Sequence, residues 1–358
     1  MSLPIFQSST FEYAGEAGYH DVRYLRLSNS PNHEALHAKL AALEGGEAAL
    51  VTASGMAAIS ASLIAFLPAG SHVIAHRSLY GGTRTFLTQE LPRMGAEVTF
   101  VDADDPFAWK PALRPATRAI YVEAMTNPLL EVVDLEAAAA FARAHDLVSM
   151  IDATLATPVN YRPIEAGFDL VLHSATKYLN GHTDIVAGAV IGRAAHVERI
   201  KHLLDHLGGS LDPHACFLLH RGLKTLALRL RRQNESAFAL ASALERHPAV
   251  AKVNYAGLES HPRHARARRY FAGTGGLLSF EPRGGPAAAE ALMKRLELAV
   301  VAPSLGGPET LVTRPVTTSH RGLTPEERRE LGISDALVRV SVGLEAAEDL
   351  IADFAKAL

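Results

Sequence analysis

Apolar and polar positions along the chain change period several times, and each change predicts an element. From Asn32 onward Leu36, Leu40 and Leu43 recur at helical spacing until Gly45-Gly46, which predicts a helix with one buried face. The small, apolar stretch 57–67, closed by Pro68 and Gly70, predicts a second helix that is buried. Short continuous apolar runs follow at 73–75, 98–101, 119–122, 148–151 and 170–172, and they suit strands covered on both faces. Amphipathic stretches separate most of these runs; the clearest is 135–145, alanine-rich, with Asp134 as its N-cap. Strands alternating with helices predict an α/β fold with a mainly parallel central sheet flanked by helices. After about residue 220 the pattern becomes a long helix over 223–246 and shorter strands at 277–280 and 337–342, a smaller α+β domain. The first thirty residues carry Pro4, Gly15 and Gly18 without a sustained period and read as an extended arm. The expected organisation is an arm at 1–30, a large domain at 31–220 and a C-terminal α+β domain at 221–358.

Composition narrows the function. The 358 residues suit about two domains at roughly 150 residues each. With 35 Lys+Arg against 38 Asp+Glu the net charge is -3, which offers no bulk field for a polyanion, so no nucleic-acid partner is expected. Apolar runs are too interrupted for a membrane span. The single cysteine, Cys216, has no internal partner, and the N-terminus lacks the order of a secretory signal, so a cytoplasmic location is expected. Cys216 lies in the apolar stretch 215–219 and is expected to be a buried structural thiol. His261 and His264 lie among Arg263, Arg266, Arg268 and Arg269, which would repel a cation; they read as surface or cap histidines, and no metal is expected. Gly273-Thr274-Gly275-Gly276 precedes a strand instead of joining a strand to a helix, so it is no dinucleotide fingerprint.

In a parallel sheet, functional groups collect beyond the carboxyl ends of the strands. Four segments fall there or at helix starts. Thr52-Ala53-Ser54-Gly55-Met56 opens the buried helix with backbone N–H groups that could hold a phosphate, or is a plain serine cap. Asp152 directly follows an apolar strand, as a functional carboxylate or a turn residue. His173-Ser174-Ala175-Thr176-Lys177-Tyr178 packs two hydroxyls and a lysine after another strand. Leu79-Tyr80-Gly81-Gly82-Thr83 sets an aromatic before two glycines, alone a common turn. Together they describe a ligand with a phosphate, an aromatic ring, a basic ring nitrogen and a carbonyl carbon: pyridoxal 5'-phosphate. Lys177 would bind its carbonyl carbon, Asp152 would keep the ring nitrogen protonated and Tyr80 would stack on the ring. Ser54, Gly55, Met56, Ser174 and Thr176 would hold the phosphate. Arg339, inside an apolar strand, suits a substrate carboxylate unless that strand is an edge facing water.

The sequence resembles the Cys/Met-metabolism family of pyridoxal-phosphate enzymes, the trans-sulfuration group of cystathionine γ-synthase, cystathionine γ-lyase and methionine γ-lyase. The resemblance is densest in residues 172–182, around the cofactor lysine, and is supported by Asn127-Pro128, residues 303–307 and residues 337–343. It implies the type I, aspartate-aminotransferase-like fold. It also implies that Tyr24 and Arg26 reach a neighbouring subunit's cofactor phosphate, so that the arm builds a dimer of shared sites, and that dimers pair into a tetramer. Glu123, Asn127 and Ser304 match positions near the ring and the substrate carboxylate. The chain starts some thirty residues into typical members, so the helix that ties dimers together is expected to be absent. Ser30 looks inserted after the arm motif, and Ala153 stands where an asparagine often follows the aspartate.

The implied chemistry is removal of the Cα proton by Lys177, then loss of the γ-substituent assisted by Tyr80 as acid. Gly82 stands where methionine γ-lyases usually carry a cysteine, and Pro303 where many γ-lyases carry a glutamate. The expected reaction is therefore γ-replacement of an O-acylhomoserine with cysteine, as in a cystathionine γ-synthase. α,γ-Elimination of the cystathionine γ-lyase or methionine γ-lyase type is the alternative. A non-catalytic interaction protein on the same fold is the remote one.

Overall fold

The computed structural model describes residues 3–102 and 108–358. Seven strands form the larger sheet: β1 (Ala48–Thr52), β2 (His72–His76), β3 (Glu97–Val101), β4 (Thr117–Glu123), β5 (Val148–Asp152), β6 (Leu170–His173) and β7 (Gly188–Gly192). Their order is β1-β7-β6-β5-β4-β2-β3, and β7 alone runs against the direction of the other six. The sheet is thus mainly parallel, as the alternation of runs and helices requires. Residues two apart along a strand share a face, so β5 sends Met150 into one apolar layer and Ile151 into the other. Helices Gly55–Phe66 and Ala194–Leu207 cover the first layer with Ile59, Leu63, Ile200 and Leu204. Helices Pro31–Glu44 and Leu135–Ala144 cover the second with Leu36, Leu40, Leu135 and Ala138.

The smaller sheet comprises β8 (Val250–Asn254), β9 (Leu277–Pro282), β10 (Val300–Val301), β11 (Leu311–Thr313) and β12 (Val338–Ser341), in the order β10-β11-β12-β9-β8. Only β10 and β11 are parallel. Leu240 and Leu244 of helix Leu226–Arg246 and Phe354 of helix Ala347–Ala357 close its core over Leu278 and Phe280. Among the described residues, no helix is long and apolar enough to cross a membrane.

Several expectations shift in detail. The first helix starts at Pro31 because Ser30, not Asn32, caps it, with Ser30 Oγ accepting the His33 N–H. Strands β1 and β7 are additional to the runs picked out above. In β7 the flanking glycines are not turn signals: a Cβ on Gly188 would run into the Ser54 carbonyl and the Thr52 hydroxyl. The long helix opens with a 3₁₀ turn, Leu223–Thr225. The arm is irregular but not fully extended, with 3₁₀ turns at Tyr19–Asp21 and Leu25–Leu27 and a bridge between Thr10 and Tyr24. Cys216 is buried, and burial pushes its thiol up. His261 is also buried, against the surface reading, although its Nδ1 does accept the Arg263 N–H.

Candidate active site

Parallel neighbours β4 and β5 end side by side, and their last residues, Glu123 and Asp152, are register partners. Both are buried. Burial pushes the Glu123 carboxyl well up, and the adjacent Asp152 pushes it further. Its Oε1 accepts the Tyr80 N–H at 2.6 Å. Burial also raises Asp152, but here hydrogen bonds from Thr154 oppose it, and its Oδ1 accepts the Thr154 N–H at 2.9 Å. Two adjoining carboxylates cannot both stay charged cheaply in an apolar setting. Asp152, whose anion the Thr154 hydrogen bonds stabilise, is the one the surroundings favour as charged.

Beyond β6 the chain turns through Ser174, Thr176 and Lys177. Lys177 Nζ donates to Ser304 Oγ at 2.7 Å. Burial, followed by the Arg339 charge, lowers the lysine to about 8, which leaves its amine more readily neutral than an ordinary lysine. Ser304 has a positive φ of 83° on the loop after β10, and Gly306 follows at 79°. A Cβ on Gly306 would lie 2.7 Å from the Tyr178 nitrogen, so only glycine lets this loop close on the lysine turn. Arg339 lies on β12 between β9 and β11, 5% exposed, which removes the edge-strand alternative. Its Nη2 donates to the Ser304 carbonyl at 2.7 Å, while its Nε is buried without a protein partner among the described residues. Burial lowers this guanidinium to about 10.

These groups line one cavity of about 640 Å³. Ser54, Gly55, Met56, Tyr80, Glu123, Asn127, Asp152, Ser174, Thr176, Lys177, Ser304 and Arg339 all border it. Tyr24 and Arg26 do not. Arg26 donates to the Asp205 carbonyl and, at 2.7 Å, to the Tyr19 hydroxyl, so the arm motif is turned away from this cavity of its own chain. Thr176 borders the cavity, yet its hydroxyl already donates to the Ala187 carbonyl at 3.1 Å and accepts the Ala187 N–H at 3.0 Å. It is a poorer anion donor than its position suggests. Thr154, Thr318 and Ser319 also line the site and were not singled out in the sequence. Thr154 could have been: a hydroxyl two residues beyond Asp152 is placed to accept the Ser174 N–H, as it does at 2.8 Å. Thr318 and Ser319 come from a loop with no pattern of its own.

The residues fit pyridoxal phosphate. Helix Gly55–Phe66 opens at the cavity, where first-turn N–H groups lack partners within a helix and attract anions. Ser54 Oγ accepts the N–H of Ala57 at 3.0 Å. A Cβ on Gly55 would meet Ser174 Cβ at 2.8 Å, so a bare backbone at 55 lets the helix start and the Ser174 turn form one cradle. Across the cavity lie the lysine amine and the favoured Asp152 anion, the partners that a carbonyl carbon and a ring nitrogen need.

Comparison with known proteins points to the same cofactor. The family model described as "Cys/Met metabolism PLP-dependent enzyme" matches residues 1–358. The chain is 42% identical over 367 residues to an L-methionine gamma-lyase of Porphyromonas gingivalis, covering 99% of this chain and 91% of that one. It is 41% identical over 359 residues to a cystathionine gamma-lyase of Bacillus subtilis, covering 100% and 94%. The solved structure of cystathionine gamma-lyase from Lactobacillus plantarum complexed with L-serine superposes with a TM-score of 0.94 at 38% identity, over 99% of this chain and 93% of that one.

Proposed function

The chain belongs to the Cys/Met metabolism PLP-dependent enzymes, and from that premise we propose that it catalyses α,γ-elimination on a sulfur amino acid with a small apolar γ-thioether, methionine being the type case. Water enters; 2-oxobutyrate, ammonia and a thiol leave. The similarity to lyases favours elimination over the γ-replacement put first from the sequence. The observation that carries the choice of substrate is the lining. Its ionisable side chains are Glu123, Asp152, Lys177 and Arg339; the cofactor and the amino-acid head use the last three, and the Glu123 carboxyl, pushed up by burial, is engaged by the Tyr80 N–H. The remaining wall includes Met56, Ile59, Val186, Pro303 and Leu305, which suits a methylthio group better than the distal ammonium and carboxylate of cystathionine.

Pyridoxal phosphate, when bound, supplies a ring that withdraws electrons from the amino acid's Cα. In the assignment favoured here, Ser54, Gly55, Met56 and Ser174 hold its phosphate, Asp152 its ring nitrogen and Tyr80 its ring face. Arg339 takes the substrate carboxylate through its unpaired Nε, with Asn127 alongside. Lys177, lowered to about 8, is a competent base for the Cα and Cβ protons, and Ser304 holds its amine in line. The Tyr80 hydroxyl gives a proton to the departing sulfur. Tyr24 and Arg26 complete a neighbouring copy's phosphate site, which makes the working unit at least a dimer. The test compares thiol and 2-oxobutyrate release from L-methionine and from cystathionine with cystathionine formation from an O-acylhomoserine plus cysteine. Methionine is expected to give the highest kcat/KM; a higher value for synthesis would return the assignment to γ-replacement.

A further inference from the structure

Behind Asp152 the sheet holds a second acid–base pair that the reaction above does not use. His173 ends β6, and its Nε2 lies 2.6 Å from Oε1 of Glu44, the last residue of helix Pro31–Glu44. Both side chains are 1% exposed. Asp152 is the register partner of Leu172, so the next residue, His173, lies on the opposite face, across the sheet from the cavity. An isolated buried carboxylate is costly. A pair with no net charge avoids that cost; it holds two protons, and when both sit on the ring nitrogens the imidazole carries positive charge against a Glu44 carboxylate. Both His173 Nδ1 and Glu44 Oε2 are buried without hydrogen-bond partners among the described residues, so no other contact explains the pair.

We propose that the Glu44–His173 pair is a positioning element for Asp152, placing positive charge behind the sheet so that Asp152, and not Glu123, is the ionised carboxylate facing the ring nitrogen. The proposal rests on the assignment of Asp152 to that nitrogen. His173 acts on Asp152 in the required direction, stabilising its anion, whereas Glu123 has no cationic neighbour of this kind among its main influences.

The holoenzyme tests it through the pH midpoint of the visible band of the lysine-bound cofactor. A ring nitrogen that loses its proton withdraws fewer electrons, so the nearby cofactor–lysine nitrogen becomes more basic. His173→Gln should raise the midpoint by about one unit and lower kcat about tenfold with KM little changed. Glu44→Gln should shift it in the same direction by less, and the double variant should fall short of the sum. Asp152→Asn is the control. If it shifts the midpoint while folded Glu44→Gln and His173→Gln do not, the pair is only a structural bond and the proposal fails. If Asp152→Asn itself leaves the midpoint in place, the cofactor assignment fails first. Should His173→Gln not fold, neutron diffraction from the unsubstituted holoenzyme decides: deuterons on both His173 ring nitrogens support the proposal, and a nitrogen without one overturns it.

Discussion

The two sheets supply the cavity in different ways. The parallel sheet delivers Glu123 and Asp152 from the ends of adjacent strands and the lysine turn from just beyond β6, all at one edge. The smaller, mainly antiparallel sheet has no such edge; it contributes Arg339 from the middle of β12 and Ser304 from the loop after β10. Parallel strands all finish on the same side, so the site there is a consequence of topology. Antiparallel strands finish on alternate sides, and a functional residue must instead replace an apolar one within a strand. The first arrangement spares the core. The second buries a guanidinium on the strand face opposite the core valines Val338 and Val340.

The largest effect should come from the parallel edge. Lys177→Ala removes the proposed base and is expected to lower kcat by about 10⁴-fold and abolish the covalent cofactor band, measured by steady-state assay and visible spectrum. Tyr80→Phe should cost about 10²-fold in sulfur release while Cα–H exchange with D₂O survives; equal loss of both would take the leaving-group role away from Tyr80. On the other sheet, Arg339→Met should lower kcat/KM about 10²-fold through weaker carboxylate binding, seen as a raised KM.

The sheets also meet electrostatically. Since burial and then the Arg339 charge disfavour the charged form of Lys177, its amine in the cofactor-free protein should be half-neutral near pH 8. Competitive amine labelling against pH would show it. In Arg339→Met the cation repelling the ammonium is gone, so the midpoint should move to higher pH; an unchanged midpoint would leave burial as the sole cause. Least costly is Gly306→Ala, which forces a positive φ and crowds Tyr178, for about 1–3 kcal/mol of stability by denaturant titration.

This contrast also governs what the sequence discloses. Asp152, Lys177 and the Ser54 turn are legible because each follows or precedes an apolar run, so a polar residue there marks a strand end or helix start. Arg339 is legible as an anomaly, a charge inside such a run. Strand β7 stays hidden because its glycines, Gly188 admitting the Ser54 turn and Gly192 the Asp169 carbonyl, imitate loop signals. Thr318 and Ser319 stay hidden because a loop from the second half of the chain is brought to the first by tertiary packing alone. Why Arg26 turns to Asp205 and away from the described cavity of its own chain is equally invisible locally, since two residues in an irregular arm carry no direction.

Helix Gly55–Phe66 opens at the cavity, yet eight of its twelve residues are buried, six of them in one apolar layer of the large sheet. Whatever anion settles on its first turn is therefore fastened to the part of the molecule whose loss is global unfolding. Cofactor occupancy then becomes a thermodynamic variable of the fold: a ligand at a hundred times its Kd adds about 2.7 kcal/mol to the native state. The melting temperature should climb with free pyridoxal phosphate, so a preparation that sheds its cofactor loses its heat resistance along with its colour.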